Sequence, residues 1–210
     1  MDNETLPLNI PWRNVTPRAM RPLRSGGYII VSQGSVVDCD MDAIVNAANC
    51  GLLGGGGVDG AISRAGGAEL YAARKALPLI PGTHCDRCVT GGAKITVGGQ
   101  LNAKWCIHAV GPNYRVLDGV GKSLEEGDLL LRSAYLTSMA LAANNGTIKT
   151  IGFSLLSAGI FRGPRSLATV LDIAVQSIID GAYNGLQEVH LVAFTEVELR
   201  ECCEALARMA

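Results

Sequence analysis

D-A-I-V-N-A-A-N-C-G-L-L-G-G-G-G-V-D-G-A-I-S-R-A-G-G, residues 42–67, is the stretch whose reading decides the fold. Ala43-Ile44-Val45 is a short apolar run that reads as a buried strand. Six of the ten residues from Gly51 to Gly60 are glycine. Glycine costs stability, so a chain keeps it where backbone must take a positive φ or lie directly against a ligand. Val58-Asp59-Gly60-Ala61-Ile62 then opens a helical pattern. Strand, glycine loop and helix start, in that order, suit a phosphate. N–H groups of the loop and first turn point at the anion, and the helix dipole favours its charge. The loop also matches G-x-G-x-x-G at Gly55, Gly57 and Gly60. A dinucleotide-binding Rossmann unit would need an acidic residue about twenty positions on, to hold the ribose. That region reads Leu77-Pro78-Leu79-Ile80-Pro81-Gly82, which excludes it. A linker is set aside too, because linkers are rich in serine and charge and this loop is hemmed in by apolar and small residues.

The surrounding chain bounds what such a loop can serve. Its 210 residues fit one domain with a short appendage. Apolar content of 48% with 5% aromatic implies an interior of Val, Ile, Leu and Ala, usual for sheets covered by helices. A formal charge of −1 provides no field for nonspecific nucleic-acid or membrane attraction, so an anionic ligand would be held by local backbone. Seven cysteines without a regular disulfide spacing suggest reduced thiols and an intracellular home, cytoplasmic or nuclear. No apolar run approaches the ~20 residues of a membrane helix. Residues 1–26 read as a separate N-terminal extension: Pro7, Pro11, Pro17 and Pro22 break any helix, and Gly26-Gly27 ends it. Arg13, Arg18, Arg21 and Arg24 leave a mitochondrial presequence open, but the prolines oppose its amphipathic helix. An arm packed on the domain and anchored by Trp12 is the expectation.

Over residues 27–210 strands alternate with helices. Strands are expected at Tyr28–Ser32, Ala43–Ala47, Ala93–Val97, Lys104–Val110, Ile148–Leu155 and Glu188–Phe194. Helices are expected near 58–65 and 67–77, then at Leu124–Asn144 with Leu130, Ala134, Thr137 and Leu141 on its buried face. A further helix would open with Pro164 in its first position and bury Leu167, Leu171, Ala174, Val175 and Ile178, and Val197–Met209 would be the last. The class is α/β, a mixed sheet between helical layers, with ligand bound where loops leave the carboxyl ends of strands. Two such loops, the glycine loop and Ser157-Ala158-Gly159-Ile160-Phe161-Arg162-Gly163, suit a diphosphate.

Five blocks carry a family resemblance: D-A-I-V-N-A-A-N at 42–49, G-G-G-G-V-D-G at 54–60, G-G-A-K-I-T at 91–96, I-H-A-V-G-P at 107–112 and S-A-G-I-F at 157–161. Together they resemble a macrodomain of the MacroD type of ADP-ribose hydrolases, over about residues 28–208. The resemblance implies a three-layer α/β/α sandwich with ADP-ribose across the strand crests. It implies that Gly55, Gly56, Gly57 and Val58, with Ser157, Ala158, Gly159, Ile160 and Phe161, cradle the diphosphate and distal ribose. Asn49 would bond a distal ribose hydroxyl, Asp59 would orient or activate the attacking water, and Asn46 would support the loop from beneath. Phe161 would pack on the distal ribose and Phe194 on adenine. Two positions depart from the family pattern. The usual G-D-I-T is Gly34-Ser35-Val36-Val37, with Ser35 a shorter, neutral substitute, so adenine recognition is either weaker or supplied by the Val36 backbone and Asp38, and the His often found four residues after the catalytic Asp is Ser63.

The residue types fit that chemistry independently. Hydrolysis of an ester or glycosidic link needs a positioned water, donors for developing charge and a carboxylate near the anomeric centre. Read without the resemblance, Asp59 is equally a helix-start carboxylate favoured by the dipole. Gly121-Lys122-Ser123 lacks the first glycine of a P-loop, since Val116 stands there. His84, Cys85 and Cys88 have no second ligand cluster, so no metal is expected. His108 lies among apolar neighbours and reads as a hydrogen-bonded core histidine. The expectation is a monomeric hydrolase without cofactor, removing mono-ADP-ribose from acidic side chains of proteins and deacetylating O-acetyl-ADP-ribose, with no membrane partner and no nucleic acid beyond ADP-ribosylated ends. The alternatives are a non-catalytic ADP-ribose reader and an ADP-ribose 1″-phosphate phosphatase.

Overall fold

The computed structural model describes residues 13–209. Seven strands form one sheet: β1 (Thr16–Pro22), β2 (Tyr28–Gln33), β3 (Ala43–Ala47), β4 (Ala93–Val97), β5 (Trp105–Ala109), β6 (Thr150–Phe153) and β7 (Glu188–Ala193). Their spatial order is β1-β2-β7-β6-β3-β5-β4. The five inner strands run parallel, and β1 and β4 close the two edges antiparallel. Four helices cover it: α1 (Gly57–Lys75), α2 (Leu124–Asn145), α3 (Leu167–Asp180) and α4 (Glu196–Arg208). The result is the mixed α/β/α sandwich expected from the alternation of elements.

Period two along each strand sorts side chains into two cores. Ile29 and Val31, Val45, Ile107, Phe153 and Leu191 face α2, α3 and α4, which lie side by side. Ile44, Cys106 and Val192 face the other way, onto Ile62 and Leu70 of α1. That second face also carries buried polar residues, among them Ser32, Asn46, His108 and His190. Because the inner strands are parallel, the loops after β2, β3, β5, β6 and β7 all emerge at one end of the sheet, above this polar strip.

The two helices expected near 58–65 and 67–77 are both present within α1, joined across a kink at Gly67, whose φ of +65° and ψ of −158° are not helical. Other expectations need correction. The buried face of α2 is Leu131, Ala134, Tyr135, Ser138, Met139 and Ala142, while Leu130, Thr137 and Leu141 flank it. Its stripe is turned because the helix packs at once on α3 and on β4 and β5. Pro164 does not open α3. Ser166 caps it, its hydroxyl accepting from the Thr169 amide at 3.1 Å, so the helix begins at Leu167. The extension, expected as an arm, contributes a strand of the sheet over Thr16–Pro22; prolines are tolerated there because an edge strand leaves outward N–H positions unused. Trp12 lies outside the described residues.

Candidate functional site

The glycine loop crosses from β3 to α1, and Asn49 shapes it. Its Oδ1 accepts from the amides of Gly51 (3.1 Å) and Leu52 (3.2 Å), and its Nδ2 donates to the Gly54 carbonyl (2.9 Å). This Asx-type turn leaves one Nδ2 hydrogen for a ligand. The first turn of α1 docks directly under the loop: a Cβ on Gly60 would stand 2.7 Å from the Gly55 carbonyl oxygen. Gly56 occupies the cap position without a side-chain hydrogen bond, which leaves first-turn amides for an anion. Opposite lies the loop after β6, where Ser157 holds φ +54° and its hydroxyl donates to the Pro112 carbonyl at 2.7 Å. Only the backbone of Ser157 therefore remains for a ligand.

Between these loops is a cleft of about 240 Å³ lined by Asn49, Gly55–Gly57, Val58, Asp59, Ser157 and Gly159–Phe161, among others. It continues past Gly57, Val58 and Gly159 into a second hollow of about 360 Å³, lined by Ser35, Val36, Phe194 and Glu198. The whole is an elongated trough across the strand ends, with Phe194 at its mouth, 75% exposed. Ser35 spends its hydroxyl on the Val37 amide (3.3 Å), capping a short 3-10 turn, and Val36 is buried behind it.

Asp59 lines the cleft from the first turn of α1 but is 3% exposed. Its Oδ1 accepts from Asn46 Nδ2 and Arg74 Nη2, each at 2.8 Å. Its Oδ2 has no hydrogen-bond partner among the described residues and lies 3.1 Å from where a Cβ on Gly55 would stand. The other hydrogen of Asn46 Nδ2 points at His108 Nδ1 (3.2 Å), its partner across β3 and β5, and His108 Nε2 meets Thr96 Oγ1 at 2.9 Å. Burial, with the Arg74 charge beside it, pushes the His108 pKa down to about 3. The ring is therefore neutral; Nδ1 accepts, and the Nε2 proton goes to Thr96, which donates to the Val97 carbonyl at 3.0 Å. His108 is the hydrogen-bonded core residue expected, supporting Asn46 from behind.

The structure thus brings Asn49, Gly55–Gly57, Val58, Asp59, Ser157, Gly159, Ile160 and Phe161 around one cleft, with Ser35, Val36 and Phe194 at its other end. Asn46 is fully buried and acts on Asp59, and Ala158 is buried and lines neither hollow. Glu198 had not been singled out; its carboxylate accepts from the amides of Phe194 (3.0 Å) and Thr195 (2.8 Å) and so holds the turn carrying Phe194. Arg74 had not been either, and it is fully buried against Asp59. Within each arm of α1 the sequence pairs residues at i, i+4, Asp59 with Ser63 and Leu70 with Arg74, but the kink at Gly67 between the arms decides how the two pairs meet. Among the described residues no three His, Cys, Asp or Glu side chains are grouped to hold a metal.

Known proteins are similar to this chain in sequence and fold. Residues 45–171 match the family model of the Macro domain. A macro domain-containing protein of Cupriavidus necator is 39% identical over 87% of this chain and 99% of its own length. A protein of Escherichia fergusonii named O-acetyl-ADP-ribose deacetylase is 45% identical over 72% of this chain and 78% of its own. Among solved structures, an Oceanobacillus iheyensis macrodomain with ADP superposes with a TM-score of 0.78 at 28% identity, covering 91% of this chain and 95% of that one. A Trypanosoma brucei macrodomain in complex with ADP-ribose gives 0.69 at 32%, covering 85% and 68%.

Proposed function

This chain belongs to the macrodomain family, and from that premise we propose that it binds ADP-ribose in the trough and hydrolyses esters of its distal ribose. Its substrates are O-acetyl-ADP-ribose and proteins mono-ADP-ribosylated on acidic side chains. The observation that carries the reading is Asp59, a carboxylate in the wall of the cleft between two backbone-lined loops, with one oxygen tied down and the other without a partner. A relative with a deacetylase name and neighbours solved with ADP and ADP-ribose support it.

The diphosphate lies against the amides of Gly55–Gly57 and Gly159–Phe161, adenine enters the hollow beside Val36 and under Phe194, and the distal ribose reaches Asn49. Asp59 Oδ2 accepts a hydrogen bond from the attacking water and orients it, while loop amides stabilise charge developing on the carbonyl oxygen. Water adds to the ester carbonyl carbon, the bond from that carbon to the ribose oxygen breaks, and a proton from the water passes to that oxygen, which leaves as the ribose hydroxyl. The products are a carboxylic acid and ADP-ribose. No residue of this sequence of steps calls for a metal.

Release of ADP-ribose from a glutamate-modified protein, and of acetate from O-acetyl-ADP-ribose, is measured with chelator present for the parent and Asp59→Ala. The parent should turn over both, and the variant should lose at least about 100-fold in kcat while keeping ADP-ribose affinity within about tenfold. The burial of Asp59 favours one other reading, a module that binds ADP-ribose without turnover. Tight calorimetric binding with no release from either substrate would establish that instead.

A further inference from the structure

Arg74, near the far end of α1, is a guanidinium 1% exposed, in a place where an unpaired charge would cost several kcal/mol. Three of its nitrogens are engaged. Nη2 donates to Asp59 Oδ1 at 2.8 Å, Nη1 to Ser63 Oγ at 2.8 Å, and Nε to the carbonyl of Leu52. Ser63 in turn donates to the Asp59 carbonyl at 2.7 Å. One side chain thereby joins the carboxylate, the helical turn that carries it, and the glycine loop, which it grips at Leu52, a residue held at φ +57°. A guanidinium suits this because its donors sit in a rigid fork, whereas an ammonium is a single point of charge.

Among the described residues the donors to the Asp59 carboxylate converge on Oδ1. Arg74 and Asn46 share that oxygen, and Oδ2 is left without a partner among the described residues, against Gly55. We propose that Arg74 is a positioning residue for the hydrolysis: it fixes the rotation of the Asp59 carboxylate through Oδ1, so that Oδ2 is the oxygen presented to the water. By holding Leu52 it also keeps the glycine loop at a set distance from that oxygen. Ser63 is the third member of the assembly, filling with a short hydroxyl the room in which Nη1 lies. This rests on the hydrolase reading above and says which group sets its geometry.

The test separates positioning from scaffolding. Arg74→Lys retains a charge without the fork, and Arg74→Met removes both. Positioning predicts that kcat on O-acetyl-ADP-ribose falls about tenfold in Arg74→Lys and about 100-fold in Arg74→Met, with ADP-ribose Kd within about threefold by calorimetry. It also predicts that Arg74→Lys costs no further turnover in an Asp59→Asn background, since both act through one carboxylate. An unchanged kcat, an equal loss of kcat and affinity, or additive losses in the double variant would each overturn it. If Arg74→Met does not fold, Arg74→Lys decides. If the parent turns over neither substrate, the hydrolase reading has failed, and crystals of Arg74→Lys with ADP-ribose decide the geometry: a carboxylate rotated from its present place supports the proposal, and an unmoved one refutes it.

Discussion

Gly57 takes a φ of +56°, and a Cβ built on it would meet nothing within 4 Å, so the residue is glycine for its backbone while its missing side chain faces open cleft. A substituent there enters the ligand's space and leaves the core alone. Gly57→Glu should abolish ADP-ribose binding in calorimetry and lower stability by only about 1–2 kcal/mol, the cost of a left-handed non-glycine residue. Retained affinity would mean that the diphosphate lies elsewhere. At the buried end of the same turn, Gly60→Ala would press a methyl to 2.7 Å from the Gly55 carbonyl and so lift the loop itself, weakening binding from below. The glycine loop was legible from its order of strand, glycines and helix start, whereas Asn49 and Asp59 were singled out through the family resemblance, and both line the cleft. Arg74 was legible in neither way. Its meaning depends on the angle at which the two arms of α1 meet at Gly67, which brings Arg74 back onto Asp59 and which local spacing does not give.

Elements followed the same division. The parallel strands were legible because strands buried on both faces are continuous apolar runs, and α3 because Leu171, Ala174, Val175 and Ile178 recur at helical spacing and lie on its buried face. β1 was not, since its prolines and arginines describe an edge, half-buried on one side, and nothing local says which sheet it joins. What fastens its start is long-range: Arg13 forks onto Glu188 at 3.1 Å through both Nε and Nη2, and Glu188 also meets His190 Nε2 at 3.2 Å. Burial works to raise the Glu188 pKa, but the hydrogen bonds from His190 and Arg13 outweigh it and hold it down near 2. Glu188→Gln should therefore cost about 2 kcal/mol in urea melts, a part-buried pair broken at one partner. Amide exchange should quicken in Ala19–Arg21 while ADP-ribose affinity stays as it was. Exchange unchanged in β1 would show that the strand is held by its ladder with β2 alone.

Across the whole molecule, two buried groups make stability depend on pH with the same sign. The folded pKa of His108 lies near 3 against an ordinary 6.5, so below about pH 6.5 the unfolded chain takes up a proton that the native ring refuses. Glu188, near 2 against 4.5, adds a second such proton below about pH 4.5. Stability should be full at neutral pH and fall below 6.5, approaching a slope of about 1.4 kcal/mol per pH unit from His108 by pH 5, with Glu188 joining below that. Urea melts at pH 7, 6 and 5 test this, and His108→Gln should flatten the upper window. A parent equally stable at pH 7 and 5 would contradict the buried neutral ring. The strand order has a consequence of another kind. β7, the last of the described strands in chain order, lies between β2 and β6, so residues 28–33 wait for residues 188–193 before they can join the rest of the sheet. Residues 34–187 separate the two strands, and the middle of the sheet cannot close until both are made. Pairing across so long a loop is slow and exposes open strand edges meanwhile. The hollow beside Val192 and Phe194 cannot exist before then, so a chain still short of β7 lacks that half of the proposed ligand trough, and ligand can stabilise only a chain that has placed β7.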